Sequence, residues 1–491
     1  MVLENEGGVV LDNYYGTTTP PGPHPAPVAP CNNSTNFNCW GSPYDLQETI
    51  YWIIKMLVLP GLVSILIIFL VILPTFENPI FEIANIILTP IASVFILIMA
   101  RESTRATINR IPSNRLIPSG TILNNIVVDE SFKIGFVGDI MMMRKYDLIF
   151  DPAIKNFFND VEVIIGNLEG IMINDDYHCS QQRHIPDILR QLEDLLSPNI
   201  NWLLCLSNNH SIDYGNQAFH TSLIEIQTNP RFNVFGRNDV PNVLFQGQPI
   251  NIASGTEWSN QNTWICTSRY RNTELWTYHN NTTLNGVNRF NVLFPHWGYE
   301  NERYVRQRIQ LDATALLTGE QQAYTSYQNF IRHHLDKLIL PDPLRKWDLI
   351  FGHHSHTPQP IMRIDDYLTL ANGERIQDQE GNDILFHKLV AFSGGNFTSG
   401  AWIIRRKKHI YGYVMKCDIG PLVGHPNQLA IGKVEWTNTV NKRHTEGDRK
   451  WKTVEFYDRR YRTYTHYLWS LLIGVGIIIL ILFLRYLDSI L

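Results

Sequence analysis

Short apolar runs that end in polar residues recur through the middle of the chain. Each run is too short for a helix and is followed by a Gly-, Ser- or Pro-containing turn, which is typical of buried strands. Ligands in open α/β sheets bind beyond the carboxyl ends of the strands, so we expect the residues after these runs to converge in space. The runs are 132–137, 161–165, 202–206, 291–294 and 347–351, and the residues that close them include Asp139, Glu169, Asn208-Asn209-His210, His296 and His353-His354-Ser355-His356.

Stretches with helical character alternate with these runs, for example 185–196 and 321–340. Such alternation is typical of an α/β domain, which we predict over 131–440. Residues 246–288 are rich in Asn, Thr and Trp and predict loops and edge strands. Turn pairs such as Asn372-Gly373 predict a hairpin insertion over 365–383.

Long apolar runs flank this domain on both sides. Each is about the length of a helix that crosses a bilayer, although buried core helices are an alternative for the first two. The runs at 56–73 and 80–100 predict a transmembrane hairpin within 51–100, and 467–485 predicts a C-terminal transmembrane helix. We therefore expect a multi-pass membrane protein in contact with the lipid bilayer. Residues 1–50, rich in Gly, Pro and Asn, predict a disordered tail.

The side of the membrane that the central domain faces is indicated by two conflicting signals. Cations cluster after the second apolar run and before the third, and the positive-inside rule then favours the cytosol. The N-x-Ser/Thr sequons at Asn32 and Asn33 favour the opposite side.

Composition narrows the class of protein. A chain of 491 residues has room for two or three domains, or for one large domain with membrane segments. The formal net charge of -5 gives no sign of a nucleic-acid partner. Six scattered cysteines without a CxxC pair exclude a disulfide scaffold and a zinc-finger pattern.

Six residues at the ends of the predicted strands offer carboxylate, amide and imidazole donors and no thiolate. Such donors suit Mn, Fe, Zn or Mg and differ from those of structural zinc sites. Six ligands are more than one tetrahedral ion needs, so we predict two divalent ions that share a carboxylate. His210 is placed to protonate a leaving oxygen. The six candidate ligands are Asp139, Glu169, Asn209, His296, His354 and His356.

Each candidate also has a purely structural interpretation. Asp139 has the residue type of a helix cap, Asn208 and Asn209 are common in turns, and Glu169 is compatible with an ordinary surface carboxylate. Their joint occurrence at strand ends favours the metal site.

Several motifs appear in an order that resembles the CapA family of capsule and poly-γ-glutamate synthesis proteins. The resemblance covers about residues 131–400 and leaves out the long apolar runs. Its most specific parts are Asn208-Asn209-His210-Ser211-Ile212-Asp213-Tyr214-Gly215 and Gly352-His353-His354-Ser355-His356-Thr357-Pro358-Gln359. The other parts are Gly138-Asp139-Ile140-Met141, Asn167-Leu168-Glu169-Gly170, His296-Trp297-Gly298-Tyr299-Glu300 and Phe392-Ser393-Gly394-Gly395-Asn396-Phe397.

The resemblance implies a four-layer α/β/β/α sandwich like that of metallophosphoesterases, with a dimetal centre at the strand ends. It implies that Asp139 and Glu169 lie on the metals. It places Asn209 and His296 on the second ion and shares His354 and His356 between the two. His210 takes the position of the acid. The predicted substrate-binding residues are Arg144, Asn208, His353 and Glu300; Arg144 matches a basic position of the family and is also compatible with a solvated side chain.

Three positions depart from the family pattern. Met143 stands where the family usually has Gly, and Ser355 stands where it often has Pro. Met141 lies where phosphoesterases have the His of an Asp-x-His motif, so we expect one ion to have fewer protein ligands.

Three functions are compatible with these features. The first is a membrane-anchored, metal-dependent hydrolase that acts on a phosphate ester or another anionic substrate in capsule or poly-γ-glutamate-type polymer synthesis. The second is a non-catalytic accessory subunit of a complex for polymer synthesis or export, whose pocket binds without cleaving. The third is a structural membrane protein with a degenerate fold, which the near-complete ligand set argues against.

Overall fold

The computed structural model describes the central part of the chain. It separates two compact units, 1–41, 117–303 and 309–459 in the first, and 42–116, 304–308 and 460–491 in the second. The fold below is that of the first unit, because almost all of the second lies outside the described residues. The described residues are 11–12, 119–124, 126, 131–143, 145–173, 182–245, 249–261, 265–270, 283–284, 287–288, 290–302, 305–318, 347–368, 374–400 and 407–457.

Strands outnumber helices in these ranges. The helices are α1 (Pro152–Phe157), α2 (Asp187–Glu193), α3 (Gly215–Gln227) and α4 (Gln307–Thr318), with a 3-10 turn at Lys407–Ile410. The strands up to the middle of the chain are β1 (Leu11–Asp12), β2 (Gly120–Leu123), β3 (Phe132–Ile140), β4 (Asp147–Phe150), β5 (Val163–Leu168), β6 (Ile171–Met172), β7 (Arg183–His184), β8 (Asn201–Cys205), β9 (Phe232–Phe235), β10 (Asn242–Phe245) and β11 (Ile250–Ala253). The later strands are β12 (Thr283–Leu284), β13 (Val287–Asn288), β14 (Phe290–Leu293), β15 (Leu349–Phe351), β16 (Ile361–Tyr367), β17 (Leu385–Ala391), β18 (Asn396–Thr398), β19 (Tyr411–Leu422), β20 (His425–Glu446) and β21 (Arg449–Phe456).

Two large sheets carry these strands, and each has a parallel centre. In the first sheet β3, β5, β8 and β9 run parallel in that order, and β19 and β20 extend it antiparallel beyond β3. In the second sheet β11, β14, β15 and β17 run parallel. Parallel neighbours end at the same edge of a sheet, so residues that follow them are brought close together.

One face of the first sheet packs against helices. Ile164 of β5 and Trp202 of β8 share a buried cluster with Ile154 of α1, Leu192 of α2 and Phe219 of α3. A strand buried on both faces is apolar throughout, as all six residues of β5 are buried.

The other face of the first sheet meets the second sheet. The rings of Phe136 on β3 and Phe351 on β15 stack with centroids 5.4 Å apart. Beyond the second sheet, the backbone N–H of Trp347 donates to Leu316 of α4 at 2.7 Å. The described residues therefore form an α/β fold, which confirms the predicted class.

Two of the predicted elements are recovered in the structure. Helix α2 falls within the predicted stretch 185–196. In the predicted hairpin at 365–383, Gln377 and Asp383 form an antiparallel β-bridge between β16 and β17. The predicted helix at 321–340 lies outside the described residues.

The predicted multi-pass membrane localisation is corrected by the structure. In the part of the chain that the structure describes, no helix is long and apolar enough to span a membrane. The longest is α3, with 13 residues, whereas about 20 are needed to cross the hydrocarbon core. Apart from residues 11–12, the predicted tail, the hairpin and the C-terminal helix lie outside the described residues.

Candidate metal centre

The ends of five strands meet in one buried cluster of carboxylates, amides and imidazoles. Asp139 lies near the end of β3, Glu169 directly follows β5, and Asn209 lies beyond β8. His296 follows β14, and 353–356 follow β15, so the second sheet supplies the imidazoles. All six residues predicted as ligands are at most 4% exposed. The structure therefore brings the whole predicted set together.

Close contact between strands places Asp139 at this point. The backbone N–H of Asp139 donates to Gly395 at 2.8 Å, and a Cβ atom at Gly138 would collide with that same carbonyl oxygen. Glycine at 138 thus lets β18 approach the end of β3. This approach sets Asn396 beside the cluster, where its Oδ1 lies 3.2 Å from Nδ1 of His356.

Three overlapping groups in this cluster have donor atoms close enough to hold a metal ion. In each group the ligand atoms lie within 4.8 Å of one another. Since Asp139, Glu169 and His296 each belong to two groups, the arrangement suits shared coordination. The groups are Asp139 with His296 and His353, Glu169 with His296 and His354, and Asp139 with Glu169 and His356.

His356 lies between the two carboxylates. Its Nδ1 is 3.2 Å from Oδ2 of Asp139, and its Nε2 is 3.4 Å from Oε1 of Glu169. Asn167 donates to Oδ1 of Asp139 at 2.8 Å. Asp139 and Glu169 thus both contact His356, and Asp139 is also held by the amide of Asn167.

His296 and His353 turn two nitrogen lone pairs toward each other. Nε2 of His353 lies 3.3 Å from the carbonyl oxygen of Phe294, which can only accept, so this nitrogen carries the hydrogen. Nε2 of His296 likewise faces the amide oxygen of Asn209 at 3.0 Å. The two remaining Nδ1 atoms are 2.8 Å apart. Two acceptors at this distance repel unless a proton or a metal cation lies between or beside them.

Two further buried atoms in the cluster have no hydrogen-bond partner. They are Oε1 of Glu169 and Nδ1 of His354. A buried polar atom without a partner costs about 1–3 kcal/mol, so such atoms are rare unless an ion or a water completes them. These orphaned atoms and the facing nitrogens of the preceding paragraph both fit a metal ion.

The backbone of the histidine loop is strained. His354 has φ of 94° and His356 has φ of 55°, a region that residues with a Cβ atom avoid. Strain of this kind costs about 1–3 kcal/mol per residue and is concentrated at functional sites. The surrounding structure therefore keeps His354 and His356 in a backbone conformation that is unfavourable for these residues.

The protonation states of the cluster follow from burial and charge. Burial lowers the pKa of His354 to about 3 and that of His296 well below its usual value, so both are neutral ligand-type imidazoles. Burial also opposes protonation of His356, but Glu169 and Asp139 raise its pKa to about 10. Burial would raise the pKa of Asp139, yet the imidazoles of His353 and His356 beside it hold that pKa well below its usual range.

Glu169 shows the opposite behaviour. Burial raises the pKa of its carboxyl well above the usual value, with the charge of His356 opposing and that of Asp139 adding to the effect. The pKa values of Glu169 and His356 are thus both raised in the metal-free cluster. Groups that hold protons in this way release them when a metal cation binds.

His210 lies at the rim of the cluster, and its Nδ1 contacts the carboxylate of Asp213. Its Nδ1 is 2.5 Å from Oδ2 of Asp213, and its Nε2 points toward Oε1 of Glu169 at 3.9 Å. His210 is 7% exposed, more than any of the six candidate ligands. Its outer nitrogen is thus directed toward the centre.

The residues predicted to bind substrate have different environments. Asn208 uses its amide within the protein, since it donates to Asn167 at 3.0 Å and accepts from the backbone N–H of His210 at 3.1 Å. Glu300 is exposed and close enough to act electrostatically on Glu169 and His356. Arg144 lies outside the described residues.

Sequence reasoning gave His353 a substrate role, whereas the structure groups it with Asp139 and His296 as a possible ligand. It assigned no role to three residues that brace the cluster, Asn167, Asp213 and Asn396. All three lie within the motifs that carry the family resemblance. The signal was thus present, but the partner of each side chain depends on contacts between strands.

The fold and the cluster together define an α/β protein with a buried candidate centre for divalent metal ions. Residues 133–319 match the model of a family described as bacterial capsule synthesis protein PGA_cap. This match over residues 133–319 confirms the CapA resemblance. The match includes Asp139, Glu169, Asn209 and His296 and ends before the histidine loop at 353–356. Comparisons with curated proteins and with solved structures gave no match.

Proposed function

We propose that this protein is a metal-dependent hydrolase of phosphate esters or related anionic substrates that acts in the synthesis of a capsule or a poly-γ-glutamate-type polymer. Its two facing sheets with outer helices would correspond to the four-layer sandwich of metallophosphoesterases. The family match supports the link to capsule synthesis. The chemistry rests on the cluster.

The observation that carries the proposal is the pair of facing nitrogens. Nδ1 of His296 and Nδ1 of His353 lie 2.8 Å apart while their other nitrogens face oxygen acceptors. Histidines that bind metals typically donate the second ring N–H to a carbonyl or carboxylate, as His353 does here. His353 thus has one nitrogen available to bind a metal ion and a second nitrogen that donates to a carbonyl oxygen, as metal-binding histidines do.

Two divalent ions are the occupancy that we propose, with Mn, Fe, Zn or Mg as candidates. Asp139, Glu169, Asn209, His296, His353, His354 and His356 would hold them. When bound, such ions neutralise an anionic substrate and activate water as Lewis acids. The donor set, which has no thiolate, fits this chemistry.

The protein residues supply orientation and a proton. Asp213 fixes His210 so that Nδ1 carries the hydrogen that faces the carboxylate, which sets the direction of Nε2. We propose that Nε2, in its protonated form, donates to the leaving oxygen of the substrate. Asn208 holds the backbone N–H of His210 and so fixes the position of the ring.

The proposed partners are other subunits of a polymer synthesis or export complex. This part of the proposal follows from the family description alone. A protein that only binds the polymer would need the same metal centre but no proton donor.

The test combines metal analysis with a hydrolysis assay on the full chain. Protein purified without chelator should contain close to two equivalents of divalent metal and should cleave bis(4-nitrophenyl) phosphate, and chelator should abolish both. His210→Ala should retain the metal and lose about 10²- to 10⁴-fold in turnover. His220→Ala, on an exposed part of α3, is the matched control and should change neither.

Absence of stoichiometric metal would refute the centre. Full metal without cleavage of any phosphate ester would refute hydrolysis and leave the accessory-subunit function.

A further inference from the structure

Asn260 connects the loops of the two sheets beside the candidate centre. It follows β11 of the second sheet, and its backbone N–H donates at 3.2 Å to the carbonyl oxygen of Asn209, which follows β8 of the first sheet. Asn260 is exposed, whereas Asn209 is 4% exposed. Asn260 is therefore an outer neighbour of a candidate metal ligand.

The side-chain amide of Asn260 contacts three residues that follow β8. Its Nδ2 lies 3.4 Å from Oδ1 of Asp213 and 3.1 Å from Nδ1 of His210, and its Oδ1 accepts from Nδ2 of Asn209 at 3.2 Å. Nδ1 of His210 lies 2.5 Å from Oδ2 of Asp213, so both nitrogens share one carboxylate. Because a carboxylate only accepts hydrogen bonds, the NH₂ group of Asn260 is the end that faces it.

The direction of this hydrogen bond sets the direction of the next two. With its NH₂ group toward Asp213, Asn260 turns its oxygen to Asn209, which then presents its own NH₂ group. The oxygen of Asn209 is left to face Nε2 of His296 at 3.0 Å. An acceptor at this position keeps the hydrogen on Nε2 and leaves Nδ1 of His296 with a lone pair for a metal ion.

Rotation of the Asn209 amide by half a turn would reverse these contacts. Its oxygen would face the oxygen of Asn260, and its NH₂ group would face the N–H of His296. Two acceptors and two donors would then oppose each other, and the side chain of Asn209 would present no lone pair to the centre. The two orientations have the same shape, so the hydrogen bond to Asn260 discriminates between them.

From this chain of hydrogen bonds we propose that Asn260 is a positioning residue of the metal centre. It keeps the oxygen of Asn209 and Nδ1 of His296 available as ligands. This role rests on the proposed metal centre but not on the proposed hydrolysis, because it concerns the binding of metal ions alone.

The test measures the affinity of the metal-free full chain for Mn²⁺ by isothermal titration calorimetry. Loss of a side chain that orients a metal ligand typically weakens metal binding about 10- to 100-fold, and Asn260→Ala should fall in this range. Asn382→Ala is the matched control, because Asn382 is also exposed and donates to a carboxylate, that of Asp378, at 3.3 Å. The control should leave the affinity for Mn²⁺ unchanged.

A second background separates orientation of the ligand from a general structural effect. Asn209→Asp places an oxygen on both sides of the side chain, so the ligand no longer depends on its orientation. In this background Asn260→Ala should change the affinity for Mn²⁺ by less than about twofold. A structural defect would instead weaken binding by the same factor in both backgrounds.

Unchanged affinity of Asn260→Ala in the otherwise unmodified chain would overturn the proposal, and so would an equal loss in both backgrounds. If the unmodified chain binds no Mn²⁺, both the metal centre and the role of Asn260 are refuted. The expected series of affinities without cleavage of a phosphate ester would refute hydrolysis alone and support the role of Asn260.

Discussion

Replacement of His356 by alanine in the metal-free protein tests how the buried charges are balanced. The imidazole lies 3.2 Å from Asp139 and 3.4 Å from Glu169, and all three side chains are at most 3% exposed. Removing one partner of a buried ion pair typically costs about 3–5 kcal/mol, because the remaining charge has neither water nor a counter-ion. His356→Ala should lower the free energy of unfolding by this amount.

The pKa of His356 gives a second measure of the same contribution. The neighbouring carboxylates raise its pKa from 6.5 to about 10 against the effect of burial. A shift of this size corresponds to roughly 5 kcal/mol. A raised pKa stabilises the folded state fully below the unfolded value, so the contribution is complete below about pH 6.5 and is lost as the pH rises through 10.

The assay is urea or thermal unfolding in the presence of chelator, so that no ion replaces the proton. At pH 6 the variant should melt roughly 10 °C below the unmodified protein, and the difference should shrink toward pH 10. His387→Ala is the matched control, since His387 pairs with Asp365 at 2.7 Å at the surface and should cost less than about 1 kcal/mol. A loss below 1 kcal/mol at pH 6, or a difference independent of pH, would refute this account of the charges.

Three further predictions concern Asp139, Asp213 and Lys388. Asp139→Asn should lose divalent metal as measured by elemental analysis, because the carboxylate belongs to two of the three ligand groups; retention of full metal would contradict its role. Asp213→Asn should keep the metal, lower turnover less than His210→Ala does, and shift the pH profile, whereas an unchanged profile would exclude a positioning role. Lys388→Met should cost about 3 kcal/mol in urea unfolding, because Nζ donates to Leu317 at 2.6 Å while it pairs with Asp366; a loss no larger than that of the exposed Lys442→Met would contradict this.

The sequence was sufficient to predict the ends of the strands and the candidate ligands that follow them. An apolar run closed by a polar residue is a local pattern, and Asp139, Glu169 and His296 all fall where it places them. The α/β class follows from the same pattern. The strand ends and the α/β class depend on residues that are neighbours along the chain, so the sequence alone is enough to predict them.

The pairing of side chains across strands was not predictable in this way. His353 faces His296 because β14 and β15 are parallel neighbours in the second sheet, and Asn396 reaches His356 because Gly138 admits β18. Both contacts join residues far apart in sequence. The membrane prediction rested on the length of the apolar runs and on the residues that flank them, and in the part of the chain that the structure describes no helix is long and apolar enough to cross a bilayer.

The contact between Asp213 and His210 bears on the proposed hydrolysis. Asp213 is a carboxylate whose side chain is 1% exposed, and it accepts from the backbone N–H of Gln182 at 2.9 Å in addition to its contact with Nδ1 of His210 at 2.5 Å. In a pocket that only binds an anion through metal ions, Asp213 would still hold Gln182, but the direction of Nε2 of His210 would have no role. A proton donor gains a fixed tautomer and a fixed direction for Nε2. The contact between Asp213 and Nδ1 of His210 therefore supports the proposed donation of a proton from Nε2 of the same ring.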